Sequence, residues 1–199
     1  MRGILLEVPE HLLAARRASG ADRWDEMWDG VLHMNPPPNL DHQKFEHELE
    51  GWLDQNWGIP QGGAVYHNVG VARPGQWPRD YRAPDLVLVG PDRLDRLRET
   101  HVEGGPTVAV EIRSPGDETY EKFEFYASVG TAEVWVIDRD TKRPEVYVLG
   151  GQGYESRPAD AEGWVVSPAT GVRLCPQPGN RIGLRFDGDE ASAAEPPER

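Results

Sequence analysis

Hydrophobic positions change their period along the chain, and each change marks an element. Within residues 9–19 (PEHLLAARRAS), Leu12, Leu13, Ala15 and Arg16 stand at helical spacing ahead of Gly20, which suits a C-terminal cap. A short first helix is predicted. In RWDEMWDGVLHM, Trp24, Met27, Trp28, Val31, Leu32 and Met34 flank Asp29-Gly30, a dipeptide that favours a two-residue hairpin between small strands. After Pro36-Pro37-Pro38, Asn39 is placed to cap a helix over residues 40–57, with Phe45, Leu49, Trp52 and Leu53 as its apolar stripe. His42, Glu46 and Glu50, four apart, then share one line of that helix.

The middle of the chain reads as strands. Residues 64–71 (AVYHNVGV) form one, and residues 83–89 (APDLVLV) a second, nearly continuous in apolar residues as a strand covered on both faces would be. Residues 92–99 (DRLDRLRE) suit a short exposed helix. Residues 107–113 (TVAVEIR) predict a further buried strand, stopped by Ser114-Pro115-Gly116. Residues 117–129 predict a helix ending at Gly130 with Phe125, Tyr126 and Val129 inward; strands at 134–138 and 144–149 follow. Tyr154, residues 164–166 and residues 172–174 read as small peripheral strands. The expected class is α/β: helices packed on a mixed central sheet, with an N-terminal helix and β-hairpin, in one layered domain over residues 1–186.

Composition narrows the function. The 199 residues contain no stretch near the ~18 apolar residues that a membrane helix needs, and Ile4-Leu5-Leu6 is too short for a signal peptide. A soluble chain that stays where it is made is expected. Cys175 stands alone, which excludes an internal disulfide and a multi-cysteine zinc site and points to a reducing cytoplasm. A net charge of −13 argues against a surface that everywhere neutralises phosphates. Part of it lies in residues 187–199, five acids and one base with low apolar content, read as a disordered tail.

Charged side chains inside apolar strands demand an explanation, since an ionised carboxylate buried without a partner costs roughly several kcal/mol. Asp85 and Glu111 are the two cases. If their strands are neighbours, the carboxylates meet at one sheet edge, and a hard divalent cation such as Mg²⁺ or Mn²⁺ relieves their repulsion. The alternative keeps each acid on a polar sheet face, with Glu111 paired to Arg113. Other chemistries lack their patterns: His11, His33, His67 and His101 show no zinc-hydrolase spacing, and there is neither a G-x-S-x-G elbow nor a phosphate loop. The seven tryptophans, interleaved with apolar residues, read as core.

Pro84-Asp85, 25 intervening residues and Glu111-Ile112-Arg113 resemble the PD-(D/E)xK nuclease pattern. The longer run VEIRSPGD (residues 110–117), Lys122, Tyr126-Ala127, Gly130 and EVWVID (133–138) is more specific, together with WDEMWDGVL, Met34-Asn35-Pro36 and His42. This set is similar to the Uma-two family, a bacterial branch of that superfamily, over approximately residues 10–175.

The resemblance implies a restriction-endonuclease-like core with Asp85 and Glu111 as metal ligands and the Ile112 carbonyl beside the ion. Arg113 occupies the motif's lysine position; always protonated, it stabilises phosphate charge but is a poor proton acceptor. A lysine on the following helix recurs in the family, and Lys122 matches it. Glu46 or Glu50, on the line shared with His42, would supply a helical acid near the metal, and Glu26 would buttress the site.

The expected function is a Mg²⁺- or Mn²⁺-dependent phosphodiesterase acting on DNA, as monomer or homodimer. Its basic surface would draw on Arg73, Arg79, Arg82, Arg93, Arg96 and Arg98, with Arg79 and Arg82 foremost. The alternative is a catalytically silent module that uses the same fold to bind nucleic acid or protein.

Overall fold

The computed structural model describes residues 9–186, and the chain falls into two compact units that meet in sequence at Pro106 and Thr107. The expected tail and the Ile4-Leu5-Leu6 stretch lie outside the described residues.

In the first unit, α1 (Glu10–Ser19) ends at Gly20 in the left-handed conformation. No residue of α1 is fully buried; Arg16 ties the helix to Asp25 and to the carbonyls of Ala21 and Asn35. Strands β1 (Glu26–Trp28) and β2 (Val31–His33) pair antiparallel across Asp29 and Gly30, both at positive φ, as the two-residue turn requires. Helix α2 (Leu40–Leu53) begins at Asn39, whose side chain accepts from the His42 N–H, and buries Phe45, Leu49 and Leu53. The chain continues helically through Asp54–Gly58 into the turn α3 (Ile59–Gln61).

Residues 64–71 do not form one strand. At Asn68 the backbone enters the left-handed region (φ 50°), which asparagine tolerates, and the chain divides into β3 (Ala64–His67) and β4 (Gly70–Ala72). Gly70 has no room for a side chain, because a Cβ there would strike the Trp77 ring. Strand β4 joins β5 (Tyr81–Arg82) and β7 (His101–Glu103) in a five-stranded sheet ordered β2-β1-β5-β4-β7. Strand β3 instead pairs antiparallel with β6 (Leu86–Val89), where His67 faces Leu86 and all four β6 residues are buried. Residues 92–99 form no α-helix; a 3₁₀ segment covers Pro91–Arg96.

The second unit carries β8 (Val108–Arg113) parallel to β9 (Glu133–Asp138), which continues antiparallel to β10 (Pro144–Gly150) and then β11 (Gly153–Ser156). Parallel neighbours need a crossover, and here it opens as a 3₁₀ turn (Thr119–Lys122) and proceeds as α4 (Phe123–Ser128), shorter than the predicted helix. Phe125 and Tyr126 are buried as expected, whereas Val129 is half-covered. Strands β12 (Val165–Val166), β13 (Val172–Gln177) and β14 (Arg181–Phe186) make a separate antiparallel sheet. The β14 strand was not foreseen. Trp57 and Trp135 are buried and the other five tryptophans half-buried, so the rings serve packing.

Candidate active-site residues

In the first unit, α2 and the residue just before β6 bring three ligand-type side chains together. One donor atom from each of His42, Glu46 and Asp85 lies within 4.8 Å of the others. His42 Nε2 stands 2.9 Å from Asp85 Oδ1 and 3.9 Å from Glu46 Oε2. Their four-residue spacing turns His42 and Glu46 to one side of α2, and both are buried there. Burial and the nearby Asp85 charge push the Glu46 carboxyl up to about 7, against the pull of His42 and His67. Two carboxylates and an imidazole at this spacing match the oxygen and nitrogen donors that a divalent cation takes.

The second unit solves the same burial problem internally. Glu111, in the middle of β8 and 4% exposed, receives the Lys122 ammonium at 3.1 and 2.9 Å, one bond to each oxygen. The Tyr126 hydroxyl donates to Oε1 at 2.5 Å. Lys122 reaches back from the 3₁₀ turn and Tyr126 from α4, one turn later, so the crossover clamps the strand carboxylate. Arg113 is not its partner: its guanidinium bonds Asp138 Oδ2 at 2.9 Å, the residue directly opposite on β9.

The family model of Uma2, described as "Putative restriction endonuclease", matches residues 11–175. The chain belongs to the Uma2 family. Its matched span crosses the division between the two units. A crystal structure described as a "putative nuclease belonging to DUF820" from Anabaena variabilis is similar, with 18% identity and a TM-score of 0.58, over 73% of this chain and 82% of that one. The fold is accordingly mixed α/β and restriction-endonuclease-like. No curated protein matches the chain.

The remaining residues expected at the site of this Uma2 member divide sharply. Ile112 is buried in β8 between Glu111 and Arg113. Glu50, one turn beyond Glu46, is half-exposed and outside the three-residue cluster, though its charge contributes to raising Glu46. Glu26 is 1% exposed; it accepts from Trp28 Nε1 at 2.6 Å and from the Ala83 N–H at 3.1 Å, holding the hairpin to the segment that leads to Asp85.

The expected basic surface needs correcting. Arg82 is 4% exposed, bonded to Asp80 and to the Met27 and Tyr81 carbonyls, and stacked over Trp28. Arg73 pairs with Asp80, Arg98 with Glu103, and Arg93 and Arg96 bind loop carbonyls at Gly105. These guanidinia fasten their own loops. Arg79 is exposed, on the rim of an open pocket of about 890 Å³ that Arg73 and Asp80 also line.

Three partners were missed in the sequence. Asn68 donates to Glu46 Oε1 at 2.7 Å, His67 Nδ1 lies 3.5 Å from the same oxygen, and Tyr126 binds Glu111. The signal for Asn68 was an asparagine interrupting an apolar alternation; the signal for Tyr126 was an inward phenol, whose hydroxyl must find an acceptor.

Proposed function

We propose that this protein is a divalent-metal-dependent endonuclease that hydrolyses phosphodiester bonds in DNA. The observation that carries the reading is the His42–Glu46–Asp85 donor cluster in a member of a family described as "Putative restriction endonuclease". In the first unit Asp85, supported by His42 and Glu46, is a proposed ligand of Mg²⁺ or Mn²⁺; in the second unit Glu111 and the Ile112 carbonyl are the ligands that the family pattern proposes. Bound to them, the cation would supply Lewis-acid polarisation of the phosphoryl group and a more acidic water.

The chain's own side chains divide the remaining work. In the metal-free protein Glu46 holds a proton up to about neutrality, and a cation at Asp85 would displace it. Lys122 brings a fixed ammonium charge, oriented by Glu111, that would offset the negative charge growing on the phosphate. Tyr126 fixes the Glu111 rotamer. Arg113, always charged and bound to Asp138, contributes field and not proton transfer.

The test is incubation of supercoiled plasmid with the purified chain and Mn²⁺. Nicked or linear product that disappears with chelator supports the reading, and Asp85→Asn or Glu111→Gln should each lower the rate on the order of a thousandfold. Intact plasmid at micromolar protein, with Mn²⁺ bound, would instead favour the silent module.

A further inference from the structure

One surface in the second unit combines aromatic and basic groups, and of its residues only Arg113 has a part in the proposed chemistry. Tyr120, in the 3₁₀ turn two residues before Lys122, is 43% exposed despite its large ring. Its ring is nevertheless held. The hydroxyl donates to Glu145 Oε2 at 2.8 Å, an oxygen that also takes the Tyr147 hydroxyl at 2.7 Å, and the ring lies against Phe123 at 5.5 Å. Burial and the Glu145 bond raise both phenols, so each remains a donor. The Arg113 guanidinium stands 5.8 Å from the Tyr120 centroid, within cation–π range.

The positive side continues from there. Arg139 donates to Ser114 Oγ at 3.3 Å, next to Arg113, and the same β9–β10 turn carries Lys142 and Arg143. Arg143 is exposed, and among the described residues its guanidinium has no partner. Of the nearby acids, Asp117 accepts from the Ser114 and Thr119 N–H groups, Asp138 from Arg113 and Thr141, and Asp140 from Arg139, while Glu121, beside Tyr120, is exposed.

We infer that Tyr120 and this basic rim form a track for single-stranded DNA, with an unpaired base stacking on the Tyr120 ring and Arg113, Arg139 and Arg143 following the phosphates. An aromatic face beside cations is the combination that single-strand binding uses, and in a duplex the base faces are already occupied by one another. The held ring loses little freedom on stacking. The inference rests on the nuclease reading for its choice of occupant, because Tyr120 and Arg113 lie two residues from Lys122 and Glu111 on the same elements.

The test measures anisotropy of a labelled 12-nucleotide oligo(dT) strand, alone and in a blunt duplex, in chelator so that no cleavage occurs. The full chain should bind the single strand about tenfold or more tightly than the duplex. Tyr120→Ala should weaken single-strand binding roughly 5- to 100-fold with duplex binding unchanged, while Tyr120→Phe and Tyr120→Trp retain it. Arg143→Ala, at an exposed position where folding is not at stake, should lower the salt slope by about one. Unchanged single-strand affinity in Tyr120→Ala, or a preference for duplex, overturns the track. Plasmid cleavage that survives that result leaves the nuclease reading standing. Tyr120-dependent binding without any cleavage would remove the nuclease reading and keep the track.

Discussion

Two buried carboxylates, Glu46 in the first unit and Glu111 in the second, are both about 4% exposed, yet their surroundings differ in sign. Glu111 is supplied with an ammonium and a phenol by its own crossover, and its charge is balanced within the fold. Glu46 sits with a second carboxylate and imidazoles, and its affinity for a proton rises to about 7. The first arrangement already includes a cation of the protein's own; the second remains short of positive charge until a proton or a metal ion arrives. Burial alone therefore does not single out a metal ligand. An open charge balance, as at Glu46, adds the pull that draws a cation to the first unit, whereas Glu111 already holds an ammonium of the protein's own beside its proposed ligation.

Lys122 gives the largest effect by which this contrast can be broken. Lys122→Met leaves Glu111 buried and uncompensated, and urea denaturation should record a loss of about 3–5 kcal/mol that Glu111→Gln in the same chain largely restores. A loss under about 1 kcal/mol would mean that the pair does not carry Glu111. Tyr126→Phe, which keeps the ring and removes one donor, should lose about 1–2 kcal/mol by the same measurement.

Glu46 should behave in the opposite sense. Its folded pKa lies above the unfolded value, so the folded protein holds the extra proton between about pH 4.5 and 7, and stability falls as pH rises through that window. Glu46→Gln should therefore raise the melting temperature of the metal-free protein at pH 8 by about 2–4 °C, the shift that ~1 kcal/mol brings in a chain of this length, and leave it unchanged at pH 4. Equal effects at both pH values would place the cause in packing instead. The smallest effect belongs to Arg113→Ala: its bond to Asp138 is half-exposed, and stability should change by less than about 1 kcal/mol.

Much of the scaffold was legible because local signals agreed with the fold. The Asn39 cap, the Asp29-Gly30 turn, the Gly20 stop and the apolar run of β6 each specify backbone geometry within a few residues. Legibility failed where backbone or charge was decided at long range. The left-handed Asn68 splits one apolar alternation into strands of two different sheets, a change that residue pattern does not encode. The arginines between Arg73 and Arg98 are dense in sequence, but only the fold shows that Arg82 is buried over Trp28 and that Arg93 and Arg96 close a loop. At the site, the line of His42 and Glu46 followed from helical spacing, and Lys122 was expected to face the strand. Glu111's choice of Lys122 over Arg113 depends on what packs above β8.

Calorimetric titration of Mn²⁺ into the metal-free chain at pH 7.5 tests the central claim most directly. The account predicts saturable binding accompanied by proton release from Glu46, and no binding in a folded Asp85→Ala variant. Identical titrations for the two proteins, or no heat from either, would contradict it.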